Sequence, residues 1–214
     1  MPTQSLYFKQ LELGPMQNFV YLVGDPATRS AAVIDPGWEA EKIVSALDED
    51  GFLLSQVLLT HSHFDHCSAV RELLSIGDAP VYIHEDEASS LEAKPQDLRT
   101  FKDKDCIKIG NLEAKVIHTP GHTPGSSCFL IQDRLFTGDT LFVGACGRSD
   151  LPGGDSRKLF DSLNNVLARL DEKIQVYPSH NYGATPSSTI AQEKKNNPFL
   201  QIGKIEEFLN LTGG

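Results

Sequence analysis

Residues 61–66 hold three imidazoles and a carboxylate, in the stretch Thr60-His61-Ser62-His63-Phe64-Asp65-His66 that follows the apolar run Val57-Leu58-Leu59. Side chains this polar are costly to crowd together unless each finds a partner. A divalent cation is the natural one, because neutral imidazole nitrogen and carboxylate oxygen both ligate zinc and iron. Three further candidate ligands stand in loops at the ends of predicted strands. They are His122 in Thr119-Pro120-Gly121-His122-Thr123-Pro124-Gly125, Asp139 in Thr137-Gly138-Asp139-Thr140, and His180 in Tyr177-Pro178-Ser179-His180. Five of the seven histidines therefore sit in strand-end loops.

Seven ligands divide naturally between two cations. His61, His63 and His122 make a three-nitrogen set; Asp65, His66 and His180 make a second, with Asp139 bridging. Paired cations about 3.5–4 Å apart can share a water, lower its pKa and polarise a scissile carbonyl. Two divalent ions, two carboxylates and one hydroxide sum to about +1, which suits an oxyanion developing beside the hydroxide. That arithmetic favours hydrolysis.

The elements that must position these groups alternate along the chain. Phe19 to Val23 and Ala31 to Ile34 read as strands, and Trp38 to Asp50 as a helix with Ile43, Val44 and Leu47 on one face, closed by Gly51. Val57 to Leu59 is a buried strand that delivers the histidine-rich segment, followed by a helix facing Val70, Leu73 and Leu74 inward. The middle turns to β structure, with hairpins around Gly110-Asn111 and Gln132-Asp133. Asp155 is an N-cap for a helix burying Leu159, Leu163, Val166, Leu167 and Leu170. The strand Ile174 to Tyr177 and two more helical segments close the chain. Strands then helices, in two successive rounds, predict two sheets packed face to face with helices outside.

Composition bounds the partners. At 214 residues the chain suits one domain with a real core, and 40% hydrophobic with 22% charged residues is ordinary for a globular enzyme. Met1 to Leu13 has no basic region followed by an apolar stretch, so no secretory signal is read, no window is apolar enough to span a bilayer, and the expected compartment is the cytoplasm. Cys67, Cys106, Cys128 and Cys146 are scattered and read as reduced thiols. A net charge of −10 argues against nucleic acid as a partner, which needs a basic surface.

His61-x-His63-x-Asp65-His66, His122, Asp139 and His180, in that order, resemble the ligand motifs of the metallo-β-lactamase fold superfamily. The resemblance implies a single four-layer αββα sandwich over residues 1–214 with a short helical C-terminus. The true β-lactamases typically lack a histidine at the position of His66 and often use a cysteine ligand; neither pattern matches, so antibiotic hydrolysis is not expected. Gly144-Ala145-Cys146-Gly147-Arg148-Ser149-Asp150 resembles the substrate-side loop of glyoxalase II and of the persulfide dioxygenases, and Tyr177-Pro178-Ser179-His180-Asn181-Tyr182 their shared segment around the last histidine. Both families handle glutathione conjugates, which implies substrate contacts from Arg148 and Tyr182. The chain ends too early to supply the whole C-terminal helical region of glyoxalase II. Ser188 through Phe199 is closer to the dioxygenases, while Leu151-Pro152-Gly153-Gly154 resembles instead the short glyoxalase-II-like hydrolases of bacteria.

Two activities follow from the resemblance. The first is a thioester hydrolase with two divalent ions, zinc or iron or a mixed pair, in which a metal-bridging hydroxide oriented by Asp65 attacks an S-acylglutathione or related thioester. The second is a dioxygenase acting on glutathione persulfide, with a single Fe(II) on His61, His122 and Asp139. A nuclease of the same superfamily is disfavoured by the acidic balance, and a homodimer is allowed. Plainer roles stand beside these. Arg148 could bridge to Asp150 or Asp155, Tyr182 could pack, and Cys67 and Cys146 read as inert. Asp35 in Asp35-Pro36-Gly37 could orient a ligand histidine or simply form the turn. His118 reads as a core histidine or one behind a ligand, and His84, beside Glu85 and Asp86, as a surface residue.

Overall fold

A computed structural model describes residues 5–91 and 95–212 of the chain. The first half builds a six-stranded sheet from β1 (Tyr7–Leu13), β2 (Asn18–Asp25), β3 (Ser30–Ile34), β4 (Leu53–Leu58), β5 (Val81–His84) and β6 (Leu98–Phe101), ordered as in the chain. Helices α1 (Ala40–Glu49), α2 (Phe64–Cys67) and α3 (Val70–Ile76) lie between these strands in sequence. A second six-stranded sheet takes β7 (Cys106–Ile109), β8 (Leu112–His118), β9 (Ser127–Ile131), β10 (Arg134–Gly138), β13 (Gln175–Pro178) and β14 (Ser188–Thr189), in the order β14-β13-β10-β9-β8-β7. The ribbon β11 (Leu141–Phe142) and β12 (Ala145–Cys146) follows β10, and α4 (Ser156–Asp161), α5 (Ile190–Asn196), α6 (Pro198–Gln201) and α7 (Ile205–Thr212) complete the set.

Alternation along the strands explains the layering. In β2, Val20 and Leu22 pack with Val33, Val57 and Val81 beneath Ile43 and Leu47 of α1 and Leu73 of α3. Their neighbours Phe19, Tyr21 and Val23 face the other way, joining Ile34 and Leu58 against Ile109, Val116, Phe129 and Phe136 of the second sheet. The outer face of that sheet, with Cys128, Leu135 and Val176, is covered by Leu159, Leu163, Leu167 and Phe208. Each such side chain contributes about 1.5–3 kcal/mol on burial, so three apolar layers hold an αββα sandwich together. This is the fold class expected from the sequence.

The two sheets meet the expectation with differences. β1 carries Lys9, Gln10 and Glu12 and its residues are mostly half-buried at a sheet edge, so its apolar pattern is too weak to read. The helix at Asp155 begins as expected, with Asp155 Oδ1 accepting from the backbone N–H of Arg157 (2.9 Å) and Lys158 (3.1 Å). It does not run on as one α-helix. After Asp161 it widens into a π-turn over Ser162–Val166 and tightens into a 3₁₀ turn over Leu167–Arg169. Ser162 Oγ donates to the carbonyl of Pro120 (2.7 Å), tying this irregular stretch to the His122 loop. Val166 and Leu170, expected in the core, are half-buried.

Strand direction sets where the site forms. β3 runs parallel to β4, and β10 parallel to β13, so Asp35, the residue 60–66 segment, Asp139 and His180 all leave carboxyl ends of strands. Gly121 (φ 141°) lets the His122 loop lie against α4, since a Cβ there would run into the backbone of Leu159. Among the described residues no helix is long and apolar enough to cross a membrane.

Candidate metal centre

Three ring nitrogens converge at the first cluster. His61 Nε2 lies 3.1 Å from His63 Nδ1, which lies 2.9 Å from His122 Nε2. Thr60 Oγ1 donates to Asp35 Oδ2 (2.7 Å), so the same oxygen accepts the Nδ1–H of His61 at 3.1 Å. His122 Nδ1–H donates to the carbonyl of Arg148 (2.6 Å). With their protons committed outward, His61 and His122 turn bare Nε2 lone pairs inward. A proton on His63 Nδ1 can serve only one of these two lone pairs well, whereas a cation among the three nitrogens serves them all.

The second cluster is built from a carboxylate and two imidazoles. Asp65 Oδ2 is 3.3 Å from His66 Nε2 and 3.4 Å from His180 Nε2. Again the outer nitrogens are committed: His66 Nδ1–H donates to Asp35 Oδ2 (3.1 Å) and His180 Nδ1–H to the carbonyl of Met16 (3.0 Å). His66 Nε2 is fully buried yet has no hydrogen-bond partner. Such an orphan is rare in a folded protein and points to an ion. Asp139 lies between the clusters, with Oδ1 3.4 Å from His66 Nε2 and His180 Nε2, and Oδ2 3.4 Å from His122 Nε2. It offers one oxygen to each side. All seven expected ligands are thus brought together, and the nitrogen and oxygen donor set fits zinc or iron.

The electrostatics are those of a site prepared for positive charge. Burial, then the imidazoles of His66, His122 and His63, hold the His61 pKa well below the ordinary histidine value. Burial opposes charge on Asp65, but His180, His66 and the Asn18 amide outweigh it and keep the carboxyl far below the usual carboxylate range. Asp139 is likewise depressed, its burial overcome by His66, His122 and His180. His66 goes the other way: burial disfavours its charged form, yet Asp139, Asp35 and Asp65 together push its pKa well up.

Asp35 plays both of the roles open to it. Its backbone makes the turn at φ 52°, with Gly37 N–H donating to its carbonyl at 2.9 Å, while its carboxylate holds Thr60 and His66. A non-glycine residue in the left-handed region, at a turn that supports both clusters from behind, fits the pattern of strain kept where geometry matters. Arg148 and Tyr182 both line the cleft of about 1120 Å³ that opens over the clusters. Arg148 is engaged by its neighbour Asp150 through two bonds of 2.6 and 2.8 Å, the salt bridge that the sequence left open. Tyr182 stacks on His180 (4.6 Å, 10°) and is half-exposed. Burial pushes the Cys146 thiol up to about 12, which keeps it protonated.

One expectation is corrected. His84 is not at the surface but 4% exposed, because it ends β5 facing inward and stacks face to face on His118 (4.2 Å, 9°). His118, half-buried, is 2.9 Å through Nε2 from the carbonyl of Pro124, to which it donates. Three supporting residues were not read from the sequence. Asn18 Nδ2 donates to both the carbonyl and Oδ2 of Asp65 (3.0 Å each), with its own Oδ1 held by Trp38 Nε1 at 2.8 Å. Ser179 Oγ donates to Asp139 Oδ1. Glu87 is buried among backbone amides.

The fold and this arrangement define a metal-binding enzyme class, and the comparisons agree. Residues 13–180 match the metallo-beta-lactamase superfamily, and the chain belongs to it. It is 36% identical over 192 residues to "Probable polyketide biosynthesis zinc-dependent hydrolase PksB" of Bacillus subtilis, covering 90% of this chain and 85% of that one. It is 32% identical over 190 residues to "Hydroxyacylglutathione hydrolase GloC" of Haemophilus influenzae (80% and 88% covered), and 33% over 201 residues to "Persulfide dioxygenase ETHE1, mitochondrial" of Homo sapiens (91% and 76%). Among solved structures it is similar to ETHE1 from Myxococcus xanthus, with TM-score 0.87, 34% identity and 97% and 90% coverage. It is also similar to TTHA1623 in a di-iron-bound form, with TM-score 0.77, 35% identity and 90% and 100% coverage.

Proposed function

We propose that this chain is a two-cation thioester hydrolase of glyoxalase II type, acting on an S-acylglutathione or a related small thioester. The observation that carries this reading is the pair of complete three-ligand clusters, with Asp139 presenting one oxygen to each. Divalent cations held there by His61, His63 and His122 and by Asp65, His66 and His180 supply Lewis acidity and lower the pKa of water. Asp65 is ionised and its Oδ2 is fixed by Asn18, so it accepts a hydrogen bond from a water entering the cleft and orients that water's oxygen, while its low proton affinity leaves it unsuited to take the proton itself. Addition of the oxygen to the thioester carbonyl forms a carbon–oxygen bond. Collapse of the adduct breaks the carbon–sulfur bond, the departing thiolate takes one of the water's protons and the other leaves to solvent, so that a carboxylate and a thiol are released. The relative named as a hydroxyacylglutathione hydrolase supports this chemistry. Tyr182 forms one wall, and Arg148 could clamp a substrate carboxylate once it exchanges Asp150 for the ligand.

A second reading is favoured by the two ETHE1 relatives: a persulfide dioxygenase with one Fe(II) on His61, His122 and Asp139. One panel separates the two. Protein purified without added metal is assayed on S-lactoylglutathione, on other thioesters, and on glutathione persulfide with an oxygen electrode. The hydrolase reading expects thioester cleavage without oxygen uptake, abolished in Asp65→Ala and His122→Ala variants that remain folded. Oxygen uptake on the persulfide with one iron per chain overturns it, as does full turnover by metal-replete His122→Ala.

A further inference from the structure

Two loops that come from different sheets must hold a fixed spacing for the first cluster to close. One carries His61 and His63; the other carries His122. Ser62, between the first two, gives its backbone N–H (3.1 Å) and its hydroxyl to Glu87 Oε2. Gly125, three residues beyond His122, gives its backbone N–H to Glu87 Oε1 (2.8 Å). A single carboxylate thus joins both loops, one oxygen to each, and it is 2% exposed. The joint is tightly packed. A Cβ on Gly125 would come within 2.6 Å of Glu87 Cγ and 3.0 Å of His84 Cβ. His118, stacked on His84, ties the same loop through Pro124. The second cluster has no such tie to Glu87: its outer partners are Asn18, Asp35 and Met16.

We infer that Glu87 is a positioning residue that sets the distance between the His61–His63 and His122 loops, and so governs cation affinity at the three-nitrogen cluster alone. This rests on the reading of His61, His63 and His122 as ligands. Buried groups that hold ligands in place typically change metal affinity by about 10–100-fold when removed. Selectivity distinguishes a brace from a general support, because loss of packing would weaken both clusters together.

The test is titration of chelator-stripped protein with Zn²⁺ alone, followed by calorimetry, with no substrate involved. Wild type is expected to bind two ions, and Glu87→Ala to weaken one of them by about 10–100-fold while sparing the other. In a His180→Ala background Glu87→Ala keeps this cost; in a His122→Ala background it adds none. Should Glu87→Ala fail to fold, Ser62→Ala, which removes only the hydroxyl contact, is expected to weaken the same ion several-fold, and Glu87→Gln, whose amide NH2 cannot accept from a backbone N–H, to weaken it at least as much. Equal weakening of both ions, or no weakening, overturns the brace. Wild type that binds no Zn²⁺ at all overturns the ligand assignment and the brace with it, whereas two-ion binding without thioesterase activity leaves the brace standing and removes only the proposed reaction.

Discussion

The three-nitrogen cluster of His61, His63 and His122 and the carboxylate-bearing cluster of Asp65, His66 and His180 meet at Asp139 but are supported from different parts of the chain. The first is held by Thr60, by the carbonyl of Arg148, and through its loops by Glu87. The second leans on the N-terminal strands, through Asn18, the carbonyl of Met16, and Asp35 at the end of β3. One is uncharged and surrounded by imidazoles; the other carries its own carboxylate and a second, Asp35, behind it. The consequence is that the clusters should fail separately when Glu87 or Asn18 is removed, and together when Asp139 is, or when Asp35 is, since Asp35 holds both His66 and the Thr60 behind His61.

The largest effect is therefore expected at Asp139. Asp139→Ala removes an oxygen from each cluster and should lower kcat by on the order of 10³-fold or more, several kcal/mol of transition-state stabilisation, with the far-UV circular dichroism unchanged. Loss limited to one cation in this variant would break the comparison at its shared edge.

Removing the cations altogether comes next. A ligand present at about 1,000 times its Kd contributes roughly 4 kcal/mol, so exhaustive chelation should lower Tm by roughly 10 °C in a chain of this size. A melting point indifferent to chelator would mean that no tightly held ion supports the fold.

Asn18→Ala should act on the second cluster only. It frees Asp65 Oδ2 and leaves Trp38 Nε1 without its acceptor, and the affinity of the corresponding cation should fall by about 10–100-fold. Measured beside Glu87→Ala, it gives opposite selectivity if the two supports are independent.

The smallest effect separates the clusters by sign. In chelated protein, His61 has a depressed pKa, so its unfolded form binds more protons and stability is lost as pH falls below about 6.5. His66 has a raised pKa, so its contribution is fully present below about 6.5 and is lost as pH rises through the folded value. Melting curves of chelated His61→Ala and His66→Ala variants between about pH 4.5 and about pH 8.5, a window of roughly two units either side of histidine's usual pKa, should each lose one limb of the wild-type dependence. Identical profiles would show that the two imidazoles do not differ as their surroundings require.

The candidate ligands that the fold brings together were legible in the sequence because a strand followed by a short loop is a local pattern. His61 to His66, His122, Asp139 and His180 each follow an apolar run, and their residue types name the chemistry. The supports are not local. Asn18 meets Asp65 across 47 positions and Met16 meets His180 across 164, relations that exist only once the sheets pack. Glu87, in Glu85-Asp86-Glu87, reads as part of a solvated acidic run, and only its place beneath two loops makes it a buried acceptor. His84 misleads for the same reason, since a strand as short as β5 gives too little alternation to show which way its last residue turns. The π-turn at Ser162–Val166 keeps the Leu159, Leu163 and Leu167 spacing of a helix, so the apolar pattern alone does not reveal it.

Anomalous diffraction at the zinc and iron edges, from crystals of protein purified without added metal, tests the central claim most directly. Two peaks per chain are expected, one amid His61, His63 and His122 and one amid Asp65, His66 and His180, with an Asp139 oxygen beside each. A single peak bounded by His61, His122 and Asp139, with nothing against His66 Nε2, would contradict the account.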